Sequence, residues 1–412
     1  MNKPLVVVGG AYGEECSFPP RQVFRGSGGR AAAIVSGLGA EVVLSTLTGP
    51  QLASAFLNIA KTLGYKLQAY PRPQDIWFRY RHPLGRPTVI PTEIAESAKV
   101  PRIDAELALV FGMIEGRLTV SARKAVYDPQ DGVAAKPFSE NGSTADELAI
   151  VLSYSEGLAL TGLRDPQLVA RSLLSQPGVS SVVVKCGPQG ALVCTADSLG
   201  WVRPFPTAKV YKIGSGDAFT AAFAYAWLVE GQEPVAAAWF ASRVAAAYVE
   251  SSRDRFTNSE ITDFHTQARA AYARNGAGAH RPVPDSSIYL AGPFFSTEQR
   301  WLIDEARAAL ADMGFRVFSP VHDVGTGPPD EVAPADLAAL DSAGMVLALL
   351  NGIDPGTMFE VGYARAKEIP VVVVAEAVAA TPLTMVLGSG CYVTNDLTTG
   401  VYATCWRMMG DV

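Results

Sequence analysis

The pattern that most restricts this chain is a repeated pairing of a short aliphatic run with an alanine-rich stretch. The runs fall at residues 5–8, 42–44, 107–111, 182–184, 288–290, 345–350 and 371–374, with Val, Leu or Ile dominating consecutive positions. Consecutive apolar residues on a strand point to opposite faces, so both faces must be covered, and the intervening helices are what can cover them. The chain is therefore predicted to be α/β, built on parallel sheets. Its 412 residues exceed what one core ordinarily supports, which predicts two domains. Residues 265–286 lose the apolar period and collect Ala, Gly, Pro, Arg and Asn before a new strand opens at Ile288. That places a linker at 265–286, a first domain at 1–264 and a second at 287–412. Within the first, residues 65–90, rich in aromatics, Arg and Pro, suit a small sheet or lid better than a core unit.

Composition narrows the ligands. Hydrophobic residues make up 49% and charged ones 18%, with the two signs interspersed, so extended disorder is excluded. A net charge of -6 argues against a nucleic-acid surface or an anionic-membrane patch, which need clustered Lys and Arg. Small molecules remain, including anions held by backbone amides. The five cysteines lack paired spacing and fit reduced thiols better than disulfides or zinc. No apolar run reaches the roughly 20 residues that span a bilayer. These features predict a cytoplasmic protein.

Residues 212–227 pass from a glycine-flanked turn into good helix formers. Gly214, Ser215 and Gly216 let the backbone approach a ligand closely, and the amides of a helix start stabilise anions. Such amides can hold a transferring phosphoryl group while Asp217 takes a proton from the attacking hydroxyl. Read alone, Asp217 also fits an acidic cap on a buried helix. Four further segments surround it: 26–40, which opens on Gly28 and Gly29 and runs into alanines; Val126-Tyr-Asp-Pro-Gln; Leu160-Thr-Gly; and Val184-Lys-Cys-Gly-Pro-Gln-Gly-Ala.

In this order, over residues 1–262, these segments resemble the ribokinase-like (PfkB) sugar and nucleoside kinases. The resemblance implies a three-layer α/β/α domain with a small lid, using ATP and magnesium. It further implies Asp217 as base, the amides of 214–217 as anion hole, and Gly187 and Gly190 on the nucleotide side. Glu156 would organise magnesium indirectly, and Glu14, Gly28 and Gly29 would face the substrate. The chain departs from the family at Ser153, usually Asn; at Tyr211-Lys212, usually Asp-Thr; at Glu14, often Asp; and at Ala33, usually Asn. These departures leave a second reading open, in which the domain senses a ligand and regulates its neighbour without phosphorylating.

The second domain opens with a strand from Ile288 that breaks at Gly292-Pro293. Ser296 with Gln299 forms a capping-box pattern, so a helix is predicted from there through Ala309. The intervening loop lies at the carboxyl end of a parallel strand, where open sheets bind ligands. Further on, Asp354 falls on the loop after the 345–350 strand, and Glu360 is placed in the first turn of the next helix. Such a carboxylate pair can share the work at a sugar, one attacking the anomeric carbon and the other holding a hydroxyl or a proton. A helix-start position would keep Glu360 ionised. Singly, each also fits an ordinary turn or helix-end charge.

With Tyr289-Leu-Ala-Gly-Pro and the 336–344 block, the order and spacing over about residues 286–376 resemble the nucleoside 2-deoxyribosyltransferases. The resemblance implies a smaller Rossmann-like (flavodoxin-like) sheet with Glu360 as covalent nucleophile and Asp354 on the sugar hydroxyls. Asp336 would be an acidic partner near the base or the attacking group, and Tyr289 and Gly292 would belong to the pocket wall. His322 touches the ligand or faces solvent. Gly344 stands where the family usually has a second Asp. Phe294, Phe295 and Trp301 can stack a nucleobase, although core packing is the default for each. Transfer and hydrolysis both stay open, and the two families imply a homo-oligomer. The function predicted is bifunctional nucleoside or nucleotide metabolism with small-molecule partners.

Overall fold

The computed structural model describes residues 3–95, 102–116, 118–279, 282–376 and 378–411. Its contacts divide the chain into two units, Met1–Thr207 with Tyr211–His280 and Arg281–Val412 with Ala208–Val210. Among the described residues no helix is long and apolar enough to cross a membrane.

The first unit is built on a nine-stranded sheet among the described residues. Its order is Leu199–Val202, Ala191–Thr195, Val179–Lys185, Thr144–Ser153, Val120–Asp128, Ile103–Phe111, Leu5–Val8, Val42–Thr48 and Lys66–Pro71. The last seven run parallel and the first two are antiparallel edge strands. The aliphatic runs are buried on both faces, as at Leu5, Val7 and Val8, so helices pack on each side. One such helix, Gly26–Gly37, buries Ala31 to Val35 completely. A separate four-stranded sheet, ordered Arg21–Phe24, Gly13–Cys16, Trp77–Tyr80 and Thr88–Ile90, forms the lid.

Two expectations are corrected here. Lys66–Pro71 belongs to the edge of the main sheet, pairing with Val42–Thr48, so only the later part of 65–90 enters the lid. Nor are residues 265–275 linker: helix Asn258–Asn275 runs through them, started by a Thr257–Glu260 capping box. Phe264, Ala268 and Ala271 supply a buried stripe of helical spacing that the surrounding Arg and Asn obscure in the sequence. Residues 280 and 281 of the expected linker lie outside the described residues.

The second unit carries a five-stranded, all-parallel sheet ordered Val317–Phe318, Ile288–Ala291, Met345–Leu349, Val371–Val374 and Tyr392–Thr394. The chain reverses direction across the sheet between Ile288–Ala291 and Met345–Leu349, and ligands bind at such a switch point. Helix Thr297–Asp312 begins with the predicted Ser296–Gln299 capping box.

Gly28 and Gly29 serve different ends. A Cβ on Gly28 would lie 2.6 Å from the carbonyl carbon and oxygen of Gly9, whereas a Cβ on Gly29 would meet nothing within 4 Å. Gly28 therefore lets the helix start pack against the end of the first strand. Gly28→Ala should cost about 1–3 kcal/mol through overpacking, while Gly29→Ala should be neutral or stabilising by up to about 1 kcal/mol. Denaturant melts of the two variants read the difference.

Candidate functional site

In the first unit the glycine turn and helix Ser215–Ala224 lie where predicted. Gly214 is the N-cap at φ 81°, and Asp217 falls in the first turn. The amides of Gly216 and Asp217 thus belong to the turn that lacks intrahelical carbonyl partners. A Cβ at Gly214 would overlap the Arg30 guanidinium, with Nε at 2.2 Å, so glycine is required for that contact.

Arg30, which the sequence reading passed over, organises the site. Its side chain is 3% exposed. Nη1 donates to Asp217 Oδ2 at 2.6 Å, Nη2 pairs with Glu14, and Nε donates to the Tyr248 hydroxyl at 2.8 Å. The other Glu14 oxygen accepts the Gly26 amide at 3.0 Å. Burial raises the Asp217 carboxyl above the usual range, and Arg30 works against that rise. A single guanidinium between two carboxylates satisfies what would otherwise be a costly set of buried charges. A signal was present: one arginine embedded in a wholly buried alanine stretch must have partners.

A second cluster gathers around Asp128. Gln130, at φ 55°, bridges Asp128 at 3.1 Å and Asp217 at 3.3 Å. Lys185 donates to Asp128 at 2.5 Å and to Thr220 at 3.1 Å. A Cβ at Gly216 would lie 3.6 Å from the Lys185 ammonium, so this cation sits beside the glycine turn. Ser153 and Glu156 cap helix Tyr154–Thr161 reciprocally, Ser153 N donating to Glu156 at 2.7 Å. Burial, with Asp128 adding to it, raises the Glu156 carboxyl. Gly187 stands at φ 56° in open space, whereas Gly190 is pressed against the Val202 carbonyl.

In the second unit Glu360 is in the second turn of helix Pro355–Ala366, not the first, because Asp354 is the N-cap. Asp354 accepts the Thr357 amide at 2.7 Å and its hydroxyl at 3.0 Å. The expected stabilisation of ionised Glu360 is corrected accordingly. The helix-end field fades within a turn, and burial pushes the Glu360 carboxyl up to about 7, with Asp336 and Asp354 adding to the rise. The Tyr289 hydroxyl donates to Glu360 Oε1 at 2.6 Å and opposes it. Tyr289 is fully buried and stacks on Phe318. Asp336 Oδ1 is buried with no hydrogen-bond partner among the described residues, and burial raises this carboxyl too. Ile353, just before Asp354, takes φ 49°, a conformation rare for a β-branched residue and one that concentrates at functional sites.

The remaining predicted residues divide. Gly292 packs on Leu349 and Ile303. His322 lies in a short helix, Pro320–Asp323, rather than a loop, its ring nitrogens engaged by Ser319 at 3.1 Å and Asp304 at 2.9 Å. At Gly344 a Cβ would meet Ser286 Oγ at 2.4 Å and Met408 Cε at 2.9 Å, so an Asp there would have to displace those two side chains. Phe295 is 75% exposed, so core packing does not account for it. Asn351, not foreseen, is clipped to Glu376 at 3.0 and 2.8 Å, joining two strand ends beside the site.

These two sites define a chain of two α/β domains, each presenting buried carboxylates at the carboxyl ends of parallel strands. Residues 147–261 match the family model of the pfkB family carbohydrate kinases, and residues 288–396 match that of the nucleoside 2-deoxyribosyltransferases. The chain thus carries a ribokinase-like domain followed by a smaller nucleoside 2-deoxyribosyltransferase-like domain. A 5-dehydro-2-deoxygluconokinase from Clostridium perfringens is 32% identical over 121 residues, 28% of this chain and 35% of the relative. One from Clostridium beijerinckii is 33% identical over 99 residues, 23% of this chain and 29% of the relative. The chain therefore spans about a third of the length of the curated relatives it matches. Among solved structures, phosphofructokinase-2 from Escherichia coli is similar at TM-score 0.48 and 13% identity, covering 65% of this chain and 99% of that one. A PfkB protein from a Polaromonas species gives 0.49 and 18%, covering 64% and 99%.

Because its folded pKa lies above the free value of 4.5, Glu360 resists ionisation in the fold. Its contribution to stability is largest at low pH and is lost as pH rises through about 7. Glu360→Gln should melt like the parent below about pH 4.5 and at a higher temperature above about 7. Scanning calorimetry from pH 4 to 8 checks the sign.

Proposed function

We propose that the chain is a bifunctional enzyme of nucleoside or nucleotide metabolism. Its second domain breaks or exchanges an N-glycosidic bond through a glycosyl–Glu360 intermediate. Its first domain transfers a phosphoryl group from ATP to a hydroxyl. The observation that carries the first half is the buried Tyr289–Glu360 hydrogen bond with an unpartnered Asp336 oxygen nearby.

In the second domain, Tyr289 orients Glu360 by holding Oε1, leaving Oε2 to attack the anomeric carbon as the bond to the base breaks. Burial raises the Asp336 carboxyl, the direction that suits a group handing a proton to the departing base. Water or a second base then attacks the anomeric carbon, passing its proton to the Asp336 carboxylate, and the bond to Glu360 breaks. A carboxyl poised near 7 leaves this nucleophile partly ionised at neutral pH.

In the first domain Asp217 Oδ1, the oxygen away from Arg30, takes the acceptor proton. The acceptor oxygen bonds to the terminal phosphorus of ATP, whose link to the bridging oxygen breaks. The amides of Gly216 and Asp217, with Lys185 beside them, fit the phosphates. Magnesium, when bound with the nucleotide, offsets phosphate charge. Glu156 fits a water-mediated hold on it, one carboxylate oxygen being tied to Ser153. The kinase relatives support a sugar-like hydroxyl as acceptor.

A sensor role for the first domain is the second reading, favoured by Arg30 occupying both Glu14 and Asp217. Glu360→Ala should lower nucleobase release on the order of 10³-fold or more, measured by chromatography on deoxynucleosides and their monophosphates; unchanged release sinks the nucleophile assignment. Asp217→Asn should cut acceptor-dependent ATP turnover about 10²–10⁴-fold. Ligand binding without any phosphorylated product from the parent protein would establish the sensor reading instead.

A further inference from the structure

Lys185 closes the strand Val179–Lys185 and brings its ammonium into the first unit's site, where its side chain is 13% exposed and that of Asp128 is 0%. Water therefore does little to balance either charge. Nζ donates to Asp128 Oδ2 at 2.5 Å and to the Thr220 hydroxyl at 3.1 Å, and that hydroxyl donates to the same Asp128 oxygen at 2.7 Å. The other Asp128 oxygen accepts from Gln130 at 3.1 Å. Burial works against the charge on Lys185, but Asp128, then Glu156 and Asp217, more than restore it, so the ammonium is held charged more firmly than usual. Asp128 acts on Glu156 in turn. Two carboxylates thus converge on one buried ammonium, with a third beyond them.

Carboxylates gathered out of water need a cation among them. Magnesium and manganese take oxygen ligands of this kind, one or two carboxylates with water sufficing, whereas a lysine ammonium is a compact point charge tied to the chain. Among the described residues no three His, Cys, Asp or Glu side chains gather as a set that could hold a metal ion. A divalent ion at this place would depend on Asp128 and Glu156, with the Thr220 hydroxyl and water to complete it, and the ammonium already stands on Asp128 and Thr220. We propose that Lys185 is the resident cation of the Asp128–Glu156 pair and bars a divalent ion from binding there on its own. Magnesium then enters the first domain only with the phosphates of a nucleotide, and Lys185 is the positioning residue that sets this order. The nucleotide part rests on the phosphoryl-transfer reading; the exclusion of the free ion does not.

The test is manganese uptake by the metal-stripped, full-length protein without nucleotide, followed by loss of the free-ion electron paramagnetic resonance signal and by thermal melts with and without manganese. The parent should take up no ion that depends on Asp128. Lys185→Ala, which opens the space and leaves the carboxylates unmatched, should take up one ion per chain and melt higher with manganese than without. Lys185→Arg, which keeps a cation, should gain nothing, and adding Asp128→Asn to Lys185→Ala should abolish the gain. Should Lys185→Ala fail to fold even with manganese, Lys185→Gln, which keeps a donor for Asp128 without the charge, carries the same comparison. An ion bound by the parent and lost in Asp128→Asn overturns the proposal. So do an absence of any manganese-dependent gain in both neutral variants, a gain that survives Asp128→Asn, and uptake by Lys185→Arg. A parallel assay of acceptor-dependent ATP turnover separates the two ideas, since a protein with this metal behaviour that forms no phosphorylated product keeps the Lys185 assignment and loses the phosphoryl-transfer reading.

Discussion

Strands that are apolar on both faces force the rest of this molecule. Leu5, Val7 and Val8 in one unit, and Ile288 to Ala291 in the other, are almost completely buried, so helices must cover both faces of each sheet, and crossovers such as Gly26–Gly37 between Leu5–Val8 and Val42–Thr48 run back over it. Every such crossover leaves a loop and a helix start at the carboxyl end of a strand. Polar groups are excluded from the sheet faces but can gather at that end, where Asp217, Gln130 and Lys185 meet in the first unit and Tyr289, Asp336 and Glu360 in the second. Both candidate sites follow from one packing requirement.

The two sites handle buried carboxylates in opposite ways. In the first, Arg30 stands between Glu14 and Asp217, and Lys185 stands against Asp128, so cations offset most of the buried charge. That arrangement links the lid strand Gly13–Cys16, helix Gly26–Gly37 and helix Ser215–Ala224 through one side chain. In the second, a neutral phenol is the one group bonded to Glu360 among the described residues, and two neighbouring acids raise its carboxyl further. Uncompensated burial holds a carboxylate near its ionisation point at neutral pH, the state that the role proposed for Glu360 would need.

Much of this was legible in the chain. The glycine turn before Asp217 and the Ser296–Gln299 cap obey local rules that operate within four residues, and both were found where the sequence places them. Glu360 was placed one turn too early because Asp354 was read as a loop residue rather than the cap. The first part of the supposed linker, residues 265–275, was a helix whose stripe of Phe264, Ala268 and Ala271 is sparse among polar residues. Arg30 and Gln130 were passed over because their roles depend on partners 187 and 87 positions away.

The sequence by itself determined the α/β class, the two-domain order and the helix starts, since these rest on periodicity and on capping contacts between near neighbours. Only the tertiary structure decided which carboxylates are matched by a cation and which are left to burial, that Glu14 and Ser153 with Glu156 are engaged by protein groups, and that Gly344 packs against Ser286 and Met408. Those outcomes depend on the desolvation of each group and on the distance between residues far apart in the chain, neither of which any local pattern of residues encodes.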